Sequence, residues 1–269
     1  MQPPHAPTIQ QVIDTILGAT PYTAGEETVD TVKTGNPNDP VRGIVTTFLA
    51  SLEVLEAAVA AGANFVITHE PTFYSHHDHT DWLAQDPVYL RKRRYIDEHK
   101  LVVWRFHDFW HRHRPDGINT GVLRALGWEQ YVDAAPSPFC VCTLPSLTVA
   151  NVVALIKSKL GATDVRVAGK PAAICKRAAL LLGAWGGRKQ IEALSRPDID
   201  VLICGEINEW DINEYTRDAV RLGLNKSLVV VGHAASEEEG MNHLAEWLRA
   251  RVPGVDITHI PTGNVLRVM

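Results

Sequence analysis

Cysteine is scarce in this chain: Cys140, Cys142, Cys175 and Cys204 are the four among 269 residues, and none is spaced as C-x-x-C. That supply argues against a disulfide framework and a thiolate-bound structural zinc, and leaves the four as small buried hydrophobes. No apolar run approaches the roughly 20 residues that span a bilayer. Nor does the opening stretch MQPPHAPTIQQ carry a charged-then-apolar export signal. The expectation is a cytoplasmic protein with no membrane partner. Positive charge is not in excess either, since the formal net charge is −5 and the pI is near 6.2. A nucleic-acid partner is therefore not expected. The local basic run Arg91-Lys92-Arg93-Arg94 reads as the solvated face of a helix. Low-complexity tracts and short-period repeats are lacking as well.

What is present is an ordinary globular composition, 45% hydrophobic and 21% charged, long enough for one large domain or two interlocked ones. Apolar β-branched runs alternate with amphipathic stretches. Strands are expected at Arg42–Phe48, Asn64–Thr68 and Leu101–Phe106, with helices at Ser51–Ala61, Pro87–His99 and Asn119–Leu126. Ala135–Pro138, reading APSP, is the expected hinge into a second half. There the pattern predicts strands at Phe139–Thr143, near Val165, and at Ala178–Leu182, Asp200–Cys204, Leu228–Val231 and Asp256–Ile260. Helices are expected at Leu147–Leu160, after GAWGGR, at Trp210–Leu222 and at Glu237–Arg251. That rhythm defines an α/β fold.

The polar clusters fall at strand ends. His69-Glu70 follows NFVIT, His107-Asp108 and His111 follow LVVWRF, Gly205-Glu206 follows VLIC, and Gly232-His233 with Glu237 follows SLVVV. In open α/β sheets ligands bind beyond the carboxyl ends of the strands, so clusters far apart in sequence can meet there. Imidazole and carboxylate together suit zinc, iron(II) or manganese(II). Two bland readings stand beside this one. Five of the eight histidines between His69 and His113, namely His76, His77, His79, His99 and His113, read as surface residues. Glu237 alone reads equally as a first-turn carboxylate set against a helix dipole, with Ser236 as the cap. Recurrence at four strand ends favours the metal reading. Arg188, after the glycine-rich GAWGG turn, and Lys33 with Asp30 in VDTVKTG are candidate substrate contacts.

The stretches GANFVITHEPTFY, RFHDFWHRHRPDGINTGVLRALGW and VVVGHAASEEEGMNHLAEWL, with the closing PTGN, resemble in order and spacing the Ngg-interacting-factor-three-like family of dinuclear metal centre hexameric proteins. The resemblance implies two similar, interlinked α/β lobes with mixed sheets, residues 1–135 with 225–269 and residues 136–224, and a metal site at strand ends between them. It also implies a homo-oligomer, a hexamer in this family, acting on a small-molecule substrate. Two divalent ions (zinc, iron or manganese) are implied as cofactors, one on His69, His233 and Glu237 and the other on Glu70, His111 and Glu237. His107 is then a further ligand or a catalytic acid/base, and Asp108 and Glu206 are candidate partners of the imidazoles. The sequence departs from the family's pattern twice: Glu70 stands where the second histidine of T-H-H-P is usual, and His111 stands for the aspartate of H-x-x-x-D. The exchange reads as compensating, with the net ligand charge kept. The implied activity is a metal-dependent hydrolase, with the type-two GTP cyclohydrolase label carried by some relatives. A metal-handling chaperone or regulatory scaffold is the non-enzymatic alternative.

Overall fold

A computed structural model describes residues 6–23, 25–135 and 137–266. The chain divides into two compact units, Met1–Ile118 with Gly240–Thr262, and Asn119–Glu239 with Gly263–Met269. The first begins with α1 (Ile9–Gly18), β1 (Val32–Thr34), β2 (Ile44–Thr47), α2 (Leu52–Ala60), β3 (Phe65–Thr68), α3 (Pro87–Glu98), β4 (Val102–Arg105) and α4 (Asp108–Arg112). Helix α5 (Gly117–Leu126) contains the first boundary. The second unit holds β5 (Cys140–Thr148), α6 (Val149–Leu160), β6 (Arg166–Ala168), β7 (Ile174–Leu181), α7 (Gly187–Ser195), β8 (Val201–Cys204), α8 (Glu214–Arg221) and β9 (Ser227–Val230). Helix α9 (His233–Arg249) contains the second boundary, and β10 (Ile257–His259) belongs to the first unit.

Each unit has one mixed sheet. In the first the order is β1-β4-β3-β2-β10, with β4, β3, β2 and β10 parallel and β1 antiparallel at one edge. In the second the order is β5-β7-β8-β9-β6, with β7, β8 and β9 parallel between two antiparallel edge strands. The tetrapeptides that spell β2, β3, β4, β8 and β9 are buried at every position, as parallel strands covered on both faces require. Val45, Val66 and Val103 pack with Val54, Leu55 and Ala58 of α2 and Ile96 of α3. Leu181, Leu202 and Leu228 pack with Ala193 and Leu194 of α7. Each aliphatic side chain so buried contributes about 1.5–3 kcal/mol. Local chemistry starts the covering helices: Ser51 accepts from Val54 N at the head of α2, and Asp86 accepts from Val88 N and Tyr89 N at the head of α3, where Pro87 fits the first turn.

Several expectations change. Strand β9 pairs with β8 and β6 in the second sheet, whereas residues 225–269 were expected in the first lobe. The units divide at Ile118/Asn119 and Glu239/Gly240. The expected hinge includes residue 136, and the amino-terminal stretch includes residues 1–5, all outside the described residues. The basic run is not wholly solvated: Lys92 is 3% exposed, its Nζ donating to the Thr72 carbonyl at 2.7 Å beneath the Phe73 and Tyr74 rings. It lies on the same inward face of α3 as Ile96, four residues on. No helix among the described residues is long and apolar enough to cross a membrane.

Candidate metal centre

Strands β3 and β4 run parallel with Thr68 opposite Arg105, so the segments that follow them leave the sheet at the same edge. The first segment supplies His69 and Glu70, the second His107. One further turn, α4, adds His111, whose backbone N–H donates to the His107 carbonyl at 3.1 Å. Asp30 fixes that turn. Its carboxylate accepts from the N–H groups of His107 (2.7 Å), Asp108 (2.9 Å) and Phe109 (2.9 Å), which otherwise lack helical partners at a helix start. Burial pushes the Asp30 carboxyl up, against the pull of those three bonds.

The three imidazoles converge. Ring centroids are 4.5 Å apart for His69 and His107, 5.0 Å for His69 and His111, and 4.9 Å for His107 and His111. One ring nitrogen from each lies within 4.8 Å of the other two. On every ring Nδ1 faces an oxygen: His69 the Phe106 carbonyl at 3.4 Å, His107 Asp108 Oδ1 at 2.9 Å, and His111 Asp116 Oδ2 at 3.0 Å. These oxygens accept, so each Nδ1 is the donor and Nε2 is the ring nitrogen that would ligate an ion. Asp108 also accepts from Thr28 Oγ1 and Val29 N, and the His107 imidazole holds its carboxyl far below the usual carboxylate range. Three imidazoles, oriented from behind by oxygens, are a donor set that fits a borderline divalent ion such as zinc.

Glu70 stands beside the trio, with Oε1 3.8 Å from His107 Nε2. Its other oxygen accepts from Arg105 Nη2 at 3.1 Å. Arg105 is fully buried at the end of β4 and also donates through Nε to the His69 carbonyl at 3.0 Å and through Nη1 to the His76 carbonyl. The guanidinium thus ties both ends of the His69–His76 loop and offsets the charge of Glu70.

The second unit carries its own pair. His233 and Glu237 lie four apart in the first turns of α9, with Nε2 3.1 Å from Glu237 Oε2 and Nδ1 3.4 Å from Glu206 Oε2. Helix α9 starts at His233, four residues before the expected start, so Ser236 is not its cap. Instead the Ser236 hydroxyl donates to the His233 carbonyl at 2.7 Å and accepts from Gly183 N at 3.0 Å. Gly183 has φ +73°, and a Cβ there would fall 2.3 Å from Glu237 Oε1. Only glycine leaves room for this buried carboxylate.

The two candidate substrate contacts lie differently. Lys33 is half-buried beside Asp78, Nζ to Oδ2 3.5 Å, and its partial burial lowers its ammonium. Arg188 is 92% exposed and pairs with Glu192 one turn along α7. The first turn of that helix already faces a carboxylate, since a Cβ on Gly187 would meet Asp211 Oδ2 at 1.8 Å. His76, His77, His79 and His99 are exposed, while His113 is half-buried against Trp110 and Trp247. Sequence reading missed Asp116 and Arg105. A carboxylate five residues after His111 was a usable signal; nothing near Arg105 in sequence shows that its partners come from the preceding strand's loop.

Comparison with known proteins identifies the family and the fold. The sequence profile of the family Duf34/NIF3 (NGG1p interacting factor 3) matches residues 8–264. A protein of Escherichia coli K12 named GTP cyclohydrolase 1 type 2 homolog is 27% identical over 235 residues, covering 84% of this chain and 86% of its own. The protein of the same name from Chlamydia pneumoniae is 25% identical over 246 residues, covering 87% and 89%. Among solved structures, a Staphylococcus aureus hypothetical protein superposes with TM-score 0.78 at 18% identity, covering 98% of this chain and all of that one. A Bacillus cereus protein related to NIF3 superposes with TM-score 0.77 at 15% identity, covering 97% and 99%. With its profile matched over residues 8–264 and its fold shared with these structures, the chain belongs to the Duf34/NIF3 family.

Proposed function

We propose that this protein binds divalent metal and is a metal-dependent hydrolase of a small molecule. The observation that carries the reading is the convergence of His69, His107 and His111 with every Nδ1 turned to an oxygen. Those three residues would hold the ion. A divalent ion supplies Lewis acidity and acidifies water near neutral pH. Asp108 and Asp116 keep the Nδ1 protons of His107 and His111 in place, which fixes ring orientation. Glu70 Oε1, 3.8 Å from His107 Nε2, is the carboxylate placed to accept a proton beside them. His107 therefore acts as a donor within the trio rather than as a separate acid.

His233 and Glu237, with Glu206 behind, support a second donor set and hence a second ion. A hexameric assembly belongs to the same reading, on the family resemblance alone. The test is elemental analysis of protein purified without chelator or affinity-tag metal, followed by a hydrolase panel. GTP belongs in that panel because of the name its curated relatives carry. Metal content near zero sinks the metal reading. Stoichiometric metal with no turnover across the panel sinks the hydrolase reading and favours a metal-handling role.

A further inference from the structure

The buried guanidinium behind Glu70 invites a question about ion choice. Arg105 has no exposed surface and three partners, the His69 and His76 carbonyls and Glu70 Oε2. A buried cation needs a counter-charge, and leaving one unpaired is strongly destabilising. Glu70 is the carboxylate it contacts. An ion beside Glu70 would therefore meet a carboxylate whose charge is already shared with Arg105 through Oε2.

We propose that Arg105 determines metal specificity: by holding Glu70 Oε2 it offsets the negative charge of that carboxylate, so His69, His107 and His111 select zinc-like ions over manganese(II) and magnesium. The inference rests on the metal reading above. Imidazole suits zinc, whereas carboxylate and carbonyl oxygens suit manganese and magnesium. Asp108 and Asp116 do not add an oxygen donor, since each is bonded to the Nδ1 of an imidazole.

The test compares wild type with Arg105→Met, Glu70→Gln and the double variant, all full-length and stripped of metal. Zinc affinity is read by competition with a chromophoric chelator, and manganese(II) affinity by the electron paramagnetic resonance of the free ion. Arg105→Met frees the carboxylate, so manganese should bind at least tenfold more tightly while zinc changes less. Glu70→Gln leaves a buried cation beside the site and should weaken both ions. The double variant, which replaces an ion pair by a neutral one, should keep wild-type zinc affinity within about threefold and the wild-type zinc-to-manganese ratio.

Where Arg105→Met does not fold, the double variant decides. A tenfold or greater loss of zinc there means that Glu70 charge acts on the ion, and the proposal is overturned. An unchanged ratio in a folded Arg105→Met protein overturns it too, while leaving the metal centre intact. Failure of wild type to bind either ion removes the metal reading itself, and this inference with it.

Discussion

Asp116 Oδ2 lies 3.0 Å from His111 Nδ1, so a carboxylate beyond Arg114-Pro115 sets the orientation of this ring. Losing such a partner typically lowers metal affinity by about 10–100-fold. Asp116→Ala should do so for zinc with little change in circular dichroism. Equal zinc competition curves for variant and wild type would mean that Asp116 does not orient a ligand.

Asp30 accepts three backbone N–H groups from a segment more than 75 residues away. Removing one buried acceptor strands several donors, each worth about 1–3 kcal/mol when left unpaired. Asp30→Ala should therefore lose about 2–4 kcal/mol in urea denaturation, after partial rescue by water, and should weaken zinc binding by loosening His107 and His111. A loss below about 0.5 kcal/mol, the floor for an ordinary cap, would contradict this.

Gly183 and Gly186 make a matched pair. Both have positive φ, but a Cβ on Gly183 meets Glu237 at 2.3 Å while one on Gly186 meets nothing within 4 Å. Gly186, at φ 79° and ψ 149°, sits where essentially only glycine is at ease, so Gly186→Ala should cost roughly 1–3 kcal/mol, the backbone term alone. Gly183→Ala should cost clearly more and displace Glu237. Equal thermal shifts in the two variants would rule out the steric account.

Lys92 gives a pH signature. Burial lowers its ammonium to about 8 from the ordinary 10.5. Between those values the unfolded chain holds a proton that the folded chain has released, so this group's contribution to stability rises with pH, and it is flat below pH 8. The whole gap amounts to roughly 3 kcal/mol at about 1.4 kcal/mol per pH unit. Relative to Lys92→Met, wild type should gain most of that between pH 7.5 and 10 in urea titrations. Parallel curves for the two proteins would show that Lys92 does not titrate there.

The strands were legible because parallel, doubly covered strands write themselves as continuous apolar runs, and FVIT, VVWR and VLIC do so. The histidines were legible because they follow those runs directly. What stayed hidden depends on distant partners. Arg105 looks like the solvated end of a strand until the His69–His76 loop folds over it. Lys92 looks like one charge among four until α3 turns it inward beside Ile96. Asp30 resembles any loop aspartate, and its role as a helix cap exists only when β1 and β4 are adjacent. The start of α9 was misplaced because Ser236 has the chemistry of a cap, yet its hydroxyl serves Gly183 instead.

The first sheet places a strand from the far end of the chain, β10, against β2. Four of its strands have been synthesised by Arg105, whereas the fifth ends at His259, roughly 150 residues later. At about 5–20 residues per second, a nascent chain would spend on the order of ten seconds with Ile44–Thr47 as an open edge. Such an edge, whose side chains are all apolar or threonine, is a template for pairing with a neighbouring chain. Production of this protein should thus be sensitive to translation speed and to chaperone supply in a way that the stability of the finished fold does not reveal.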